Sequence, residues 1–238
     1  MKPEQLQRDL LQARAELADF THTVSHDLRA SLRHINAFAQ IIREDLEAQN
    51  TTDISTHLAR IEQAVLQMGR QIEGLTSLSR LASVELQPMP ANLSALMCDV
   101  YQELNPVAEG RLVECQFAED FPMLQCDSLL IRQVLTLLLS NALKFTRTRP
   151  VARIQFGWLA DNTGGCTVTL SDNGVGFNPD YAAKLLHPFS RLHATKDFEG
   201  LGLGLAIAAK IMSRHQGRIW VEGVQDAGCR VSFTLPLA

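Results

Sequence analysis

Residues 200–206 read Gly-Leu-Gly-Leu-Gly-Leu-Ala and open an apolar stretch that continues to His215. Three alternating glycines at a helix start leave several backbone N–H groups free of side chains. The positive end of the helix dipole adds to them, so the stretch suits anionic oxygens. The spacing differs from the dinucleotide fingerprint G-x-G-x-x-G, and no βαβ unit with a ribose-binding acid follows it. Nor does the chain carry a G-x-x-x-x-G-K-[ST] phosphate loop. By itself the glycine string is weak evidence of function, and its meaning depends on what lies before it.

Two patterns precede it. Asp172-Asn173-Gly174-Val175-Gly176-Phe177 follows a predicted strand. Alternating glycines let the backbone turn sharply against a ligand, and an aspartate at a strand end can accept a hydrogen bond from an exocyclic amine. A plain turn accounts for the same residues. Further back, a predicted helix over 128–145, capped by Asp127, has the apolar run LIRQVLTLLL and then Asn141. A half-buried asparagine there needs partners for its amide, which a hydrated Mg²⁺ with phosphate oxygens would supply; a surface asparagine near a helix end is the plain alternative.

Around these patterns the spacing predicts a helix from 93 to about 109 and strands around 112–118 and 123–126. Strands 151–159 and 166–171 are predicted to form a hairpin around Asp161-Asn162-Thr163-Gly164-Gly165. A long loop from 172 to about 200, a helix over 201–215 and strands over 218–222 and 229–235 complete the region. Helices on one face of a mixed sheet make an α/β sandwich.

The N-terminal region is different. From about residue 4 to 47 there is no glycine or proline, and apolar residues recur at steps of three and four, which predicts one long helix with coiled-coil character in its first half. Within Phe-Thr-His-Thr-Val-Ser-His-Asp-Leu-Arg-Ala, residues 20–30, His26 falls about 200° around the helix from Val24 and so lies off the apolar stripe. A histidine so placed is ordinarily a surface histidine. After the polar segment 48–53, Ile54, Leu58, Ile61, Val65, Met68, Ile72 and Leu75 keep alternating steps of four and three, predicting a second helix to about 84. Two such helices form a hairpin that is expected to dimerise into a four-helix bundle, the alternative being that its stripes pack on the rest of the same chain. The prolines of Leu-Gln-Pro-Met-Pro-Ala-Asn, residues 86–92, set a domain boundary near Gln87, giving domains 1–87 and 88–238.

Composition narrows the function classes. Of 238 residues, 46% are hydrophobic, enough for a core, and a net charge of −4 with scattered basic residues argues against nucleic acid as a partner. No apolar run approaches the roughly 20 residues of a membrane span, and the charged N-terminus does not suit a signal peptide, so a cytoplasmic location is expected. Five cysteines without C-x-x-C spacing indicate neither a disulfide framework nor a zinc site.

Taken in order, SHDLRASLR (25–33), NALKF (141–145), DNGVGF (172–177), PFSRLH (188–193), FEGLGLGLA (198–206) and GRIWVEG (217–223) resemble a sensor histidine kinase transmitter of the phytochrome-like branch, with a Bergerat nucleotide-binding fold. The resemblance covers nearly all of the chain. It implies that His26 accepts the γ-phosphoryl of ATP and that Asp27 takes the ring proton. It further implies that Asn141 binds Mg²⁺, Lys144 faces the phosphates and Asp172 reads the adenine amine. Gly174 and Gly176 would shape the pocket floor, and Gly200, Gly202 and Gly204 would frame the phosphates. Residues from about 178 to 199 would form a lid, in which Arg191, His193 and Lys196 carry positive charge, Arg191 foremost.

The implied protein is a homodimer that passes phosphate to the receiver domain of a response regulator, under a sensor domain not in this chain. Two positions depart from the family pattern. Ser31 stands where proline is usual, which implies a straighter helix. Leu137 replaces an asparagine and cannot touch metal or phosphate, and it also lacks the water-activating carboxylate of hydrolytic relatives. Ala30 lacks a group to position water, which implies weak phosphatase activity. Ser31 and Leu137 keep open a second reading, a catalytically weak nucleotide-binding dimer that regulates a partner by docking.

Overall fold

The computed structural model describes residues 25, 28–104, 110–118, 120–160, 165–192 and 198–238. The helix expected over the first 24 residues, the pair His26 and Asp27, and the lid residues His193 and Lys196 lie outside the described residues. The chain divides into two compact units, Met1–Thr76 and Ser77–Ala238.

In the first unit, helix α1 covers residues 28–47 and helix α2 is Ile54–Ser83, which continues past the division. The polar turn between them is closed by its own backbone. Asn50 N donates to Asp45 O at 2.8 Å, and Gln49 takes a left-handed φ of 55°. The Phe38 ring stacks on His57 with centroids 5.7 Å apart, and the Arg60 guanidinium lies 5.2 Å from the Phe38 centroid. Ala64 and Gln71, seven residues apart on α2, are buried, whereas Leu58, Val65 and Ile72, also seven apart, are exposed. Ser31 of α1 is buried too.

The second unit follows the expected order with additions. After α2 come β1 (Met89–Asn92), α3 (Leu93–Leu104), β2 (Leu112–Phe117), β3 (Met123–Cys126), α4 (Ser128–Phe145), β4 (Val151–Ala160) and β5 (Gly165–Asp172). A 3₁₀ helix (Pro179–Leu186), α5 (Gly204–Arg214), β6 (Ile219–Val224) and β7 (Gly228–Pro236) complete it. Five strands form one sheet in the order β2-β4-β5-β7-β6, parallel between β2 and β4 and antiparallel elsewhere. Ile154 and Phe156 of β4 and Val168 and Leu170 of β5 point to one side and join the apolar faces of α3, α4 and α5 in a single core. Polar cross-strand pairs, Arg153 with Glu114 and Gln155 with Gln116, mark exposed positions on β4 and β2. This is the α/β sandwich that the pattern predicts.

Helix α4 organises this unit. Asp127 caps it, its carboxylate accepting from Leu129 N at 3.1 Å and Leu130 N at 3.2 Å. It is long and apolar enough to cross a membrane by length and composition, but Ile131, Val134, Leu135, Leu138 and Leu139 place that apolar surface in the core. Two elements were not foreseen. Residues 86–92 are more than a boundary, because β1 pairs antiparallel with β3, and Pro90 is tolerated in a two-stranded edge pair that does not require its N–H. The expected loop after Asp172 contains the 3₁₀ helix, opened by Asn178, whose side chain accepts from Asp180 N.

Candidate nucleotide-binding site

The apolar face of α4 fixes which residues its last turns present. With Leu138, Leu139 and Ala142 buried, Asn141 and Lys144 emerge half-buried, and Lys144 Nζ donates to Asn141 Oδ1 at 3.1 Å. The ammonium also lies 4.5 Å from the Phe145 ring centroid. Burial lowers the Lys144 pKa; nearby Glu199 works against that, and Arg191 and Arg147 add to it. The helix end is held by Thr146, whose buried hydroxyl donates to Ala142 O at 2.7 Å, and by Arg111, which donates to Leu143 O at 2.9 Å.

The glycine string meets this end of α4. A Cβ on Gly204 would stand 3.5 Å from Leu137 Cδ2 and 3.7 Å from Asn141 Nδ2, and one on Gly200 would stand 3.3 Å from Lys144 Nζ. Gly202, with φ of 71°, lies so close to the preceding chain that a Cβ would come within 2.6 Å of Ser190 O. The helix therefore begins at Gly204 rather than at the expected residue 201, because the glycines before it are not helical. Among the described residues, no side chain caps the N-terminus of α5. Its first N–H groups, the Asn141 amide and the Lys144 ammonium thus converge on one region, which suits phosphate oxygens.

Asp172 ends β5. Its Oδ1 accepts from Gly174 N at 2.8 Å, and burial pushes its pKa up to about 6 against the opposing backbone hydrogen bonds from Gly174 and Cys229. Asn173 does not face a ligand; it donates to Val151 O at 3.0 Å and accepts from Arg153 N at 2.8 Å, fastening the turn to β4. Val175 N donates to Phe145 O at 3.2 Å, tying the turn to the end of α4. Gly176, with φ of 58°, passes under the β6–β7 turn so closely that a Cβ would overlap Val224 O at 1.9 Å.

Arg191 is directed at backbone, donating to Gly200 O at 2.6 Å and Phe198 O at 2.7 Å, yet it is near enough to Lys144 to affect its charge. Four further contacts were not anticipated from the residues. Arg147 pairs with Glu199 at 2.7 Å and lies 4.7 Å from the Phe198 ring centroid, and the Phe145 and Phe198 rings approach at 5.1 Å. Arg149 grips the Asp172–Gly174 turn through its carbonyls. No local pattern marks these arginines, since their partners are backbone atoms or residues far along the chain.

A cleft of about 900 Å³ opens beside the turn, lined by Val175–Asn178 together with Thr148, Tyr181, Arg191, Leu192, Phe198, Gln225 and Asp226. Asp172, Asn141 and Gly204 border other parts of the unit and are not in its lining. A smaller cleft of about 430 Å³, at His215–Gly217 and Thr234–Pro236, contains none of the expected site residues.

Residues 126–238 match the family described as histidine kinase-, DNA gyrase B-, and HSP90-like ATPase. The methanogenesis regulatory histidine kinase FilI of Methanothrix harundinacea (strain 6Ac) is 37% identical over 93% of this chain and 25% of its own length. Cyanobacterial phytochrome B of Nostoc sp. (strain PCC 7120) is 30% identical over 97% of this chain and 31% of its own. The chain thus spans about a quarter to a third of these curated relatives. The solved structure of the histidine kinase ThkA with the response regulator protein TrrA superposes with a TM-score of 0.70 at 21% identity, over 99% of this chain and 66% of that one. That likeness concerns the fold.

These matches make the chain a sensor histidine kinase transmitter core. Its C-terminal part carries the Bergerat-type ATP-binding fold of that family.

Proposed function

We propose that the protein is an ATP-dependent histidine kinase that phosphorylates its own His26 and passes the phosphoryl group to an aspartate of a response regulator. The observation that carries this reading is the convergence of Asn141, Lys144 and the uncapped, glycine-framed start of α5. In the transfer, a ring nitrogen of His26 forms a bond to the γ-phosphorus as the bond to the β–γ bridging oxygen breaks. ADP leaves, and the ring proton passes to Asp27. Asp172 accepts the adenine amine, Gly174 and Gly176 let the chain pass beneath the base, and Gly200, Gly202 and Gly204 admit the phosphates. Arg191 shapes the lid while adding positive charge.

The residues fit Mg²⁺ as a companion of the nucleotide. Asn141 carries a hard amide oxygen, which accepts from Lys144 Nζ at 3.1 Å and would turn to the metal as that ammonium turns to phosphate. Mg²⁺ would neutralise phosphate charge, held by Asn141 and the nucleotide together.

The protein acts as a cytoplasmic homodimer, with residues 1–87 as the dimerising phosphoacceptor domain and 88–238 as the ATP domain. The exposed seven-residue spacing of Leu58, Val65 and Ile72 supports a second helical pair against α2. ThkA, in complex with a response regulator, supports a receiver domain as partner. Leu137, which packs toward Gly204, favours the second reading, a docking scaffold that binds nucleotide without transfer.

Incubation with γ-labelled ATP and Mg²⁺ tests the choice. Acid-labile, base-stable label that His26→Gln abolishes is the expected result, and nucleotide binding without label would establish the scaffold instead.

A further inference from the structure

Arg149 is half-buried just beyond α4, where its backbone N–H bonds Thr146 O at 2.9 Å. Its guanidinium meets three carbonyls. Nε donates to Asn173 O at 2.9 Å, and Nη2 donates to Gly174 O at 2.9 Å and to Asp226 O at 2.6 Å. The first contact matters most. Asn173 C=O and Gly174 N–H are two ends of one peptide unit, and that same N–H donates to Asp172 Oδ1 at 2.8 Å. In a trans peptide these groups point in opposite directions, so guanidinium, peptide and carboxylate form a continuous hydrogen-bonded relay. A cation on the carbonyl polarises the peptide and strengthens its N–H as a donor.

We propose that Arg149 is a positioning residue for base recognition, orienting the Asp172 carboxylate through the Asn173–Gly174 peptide. The inference rests on the reading of Asp172 as acceptor of the adenine amine. The contact with Asp226 O extends the hold to the β6–β7 turn, whose Asp226 N also donates to Val175 O at 2.7 Å. The turn that carries Asp172 is therefore gripped on both sides. A planar fork spans these carbonyls, whereas an ammonium offers a point charge, so lysine is a poor replacement.

The test compares ADP with IDP, in which a carbonyl replaces the adenine amine. Both are titrated into the full chain by calorimetry. The unaltered protein is expected to prefer ADP by about tenfold or more, the size of one hydrogen bond to a charged group. In Arg149→Ala the preference shrinks to about threefold or less, because ADP binding weakens while IDP binding changes little. Arg149→Lys falls between, and it decides the matter if the alanine variant does not fold.

An undiminished preference in a folded variant would overturn the proposal. So would equal weakening of both ligands, which would make Arg149 only a staple between turns. Absence of any preference in the unaltered protein would instead remove the Asp172 reading beneath it.

Discussion

The α/β sandwich encloses one contiguous apolar core, whereas the described part of the helical hairpin carries an exposed apolar stripe at seven-residue spacing. In the sandwich, Leu135 and Leu139 of α4, Ile154 of β4, Val168 of β5 and Phe233 of β7 are fully buried. In the hairpin, α2 buries Ala64 and Gln71 on one stripe yet leaves Leu58, Val65 and Ile72 about half exposed on the next, with Leu66 at 63%. A sheet with three helices on one face encloses its core within one copy. Among the described residues the two helices have no third layer, so a second stripe stays exposed, as a surface for the proposed second helical pair. The contrast separates a nucleotide unit with its own core from a region whose exposed stripe would, in the proposed dimer, be covered by a second copy.

Leu139→Ala tests the sandwich side with the largest effect. Removing that buried side chain is expected to cost about 2–5 kcal/mol in chemical denaturation of the sandwich, independent of protein concentration. A cost below that range would mean the α4 core is looser than its burial implies. Next, Val65→Glu places a charge in the exposed stripe. It is expected to raise the dimer dissociation constant about tenfold or more in analytical ultracentrifugation, with sandwich melting unchanged. A dimer of undiminished affinity would break the comparison.

The smallest effect is electrostatic. Burial raises the Asp172 pKa to about 6, so its charged form costs stability fully above pH 6, and that cost is relieved as pH falls toward the ordinary carboxylate range. On the proposed reading, adenine binding depends on the carboxylate and runs the other way. ADP affinity is expected to fall about three- to tenfold from pH 7 to pH 5, and Asp172→Asn to flatten the profile. An unchanged profile in that variant would assign the pH dependence to other groups.

The sandwich was largely legible in the residues because its determinants are local. Asp127 announces the α4 cap, the apolar run of α4 announces a core helix, and the alternation in β4 and β5 announces a hairpin. The strand β1 was not legible, since Pro90 reads as a breaker and only pairing with β3 makes its segment extended. The parallel β2–β4 pairing is likewise non-local. At the candidate site, Asn141, Lys144, Asp172 and the glycines are proposed from their motifs, whereas the contacts of Arg149 carry no motif. Its partners are main-chain carbonyls 24, 25 and 77 residues away, and carbonyls carry no residue signature. Asn173 shows the converse: a residue inside a motif whose side chain serves β4 rather than a ligand.

The central claim is that the end of α4 and the start of α5 hold the phosphates of ATP. It is tested most directly by calorimetric titration of the full chain with ATP and Mg²⁺, compared between the unaltered protein and Asn141→Ala. The expected result is a loss of affinity of about tenfold or more with the fold intact. Equal affinity in the two proteins would contradict the claim.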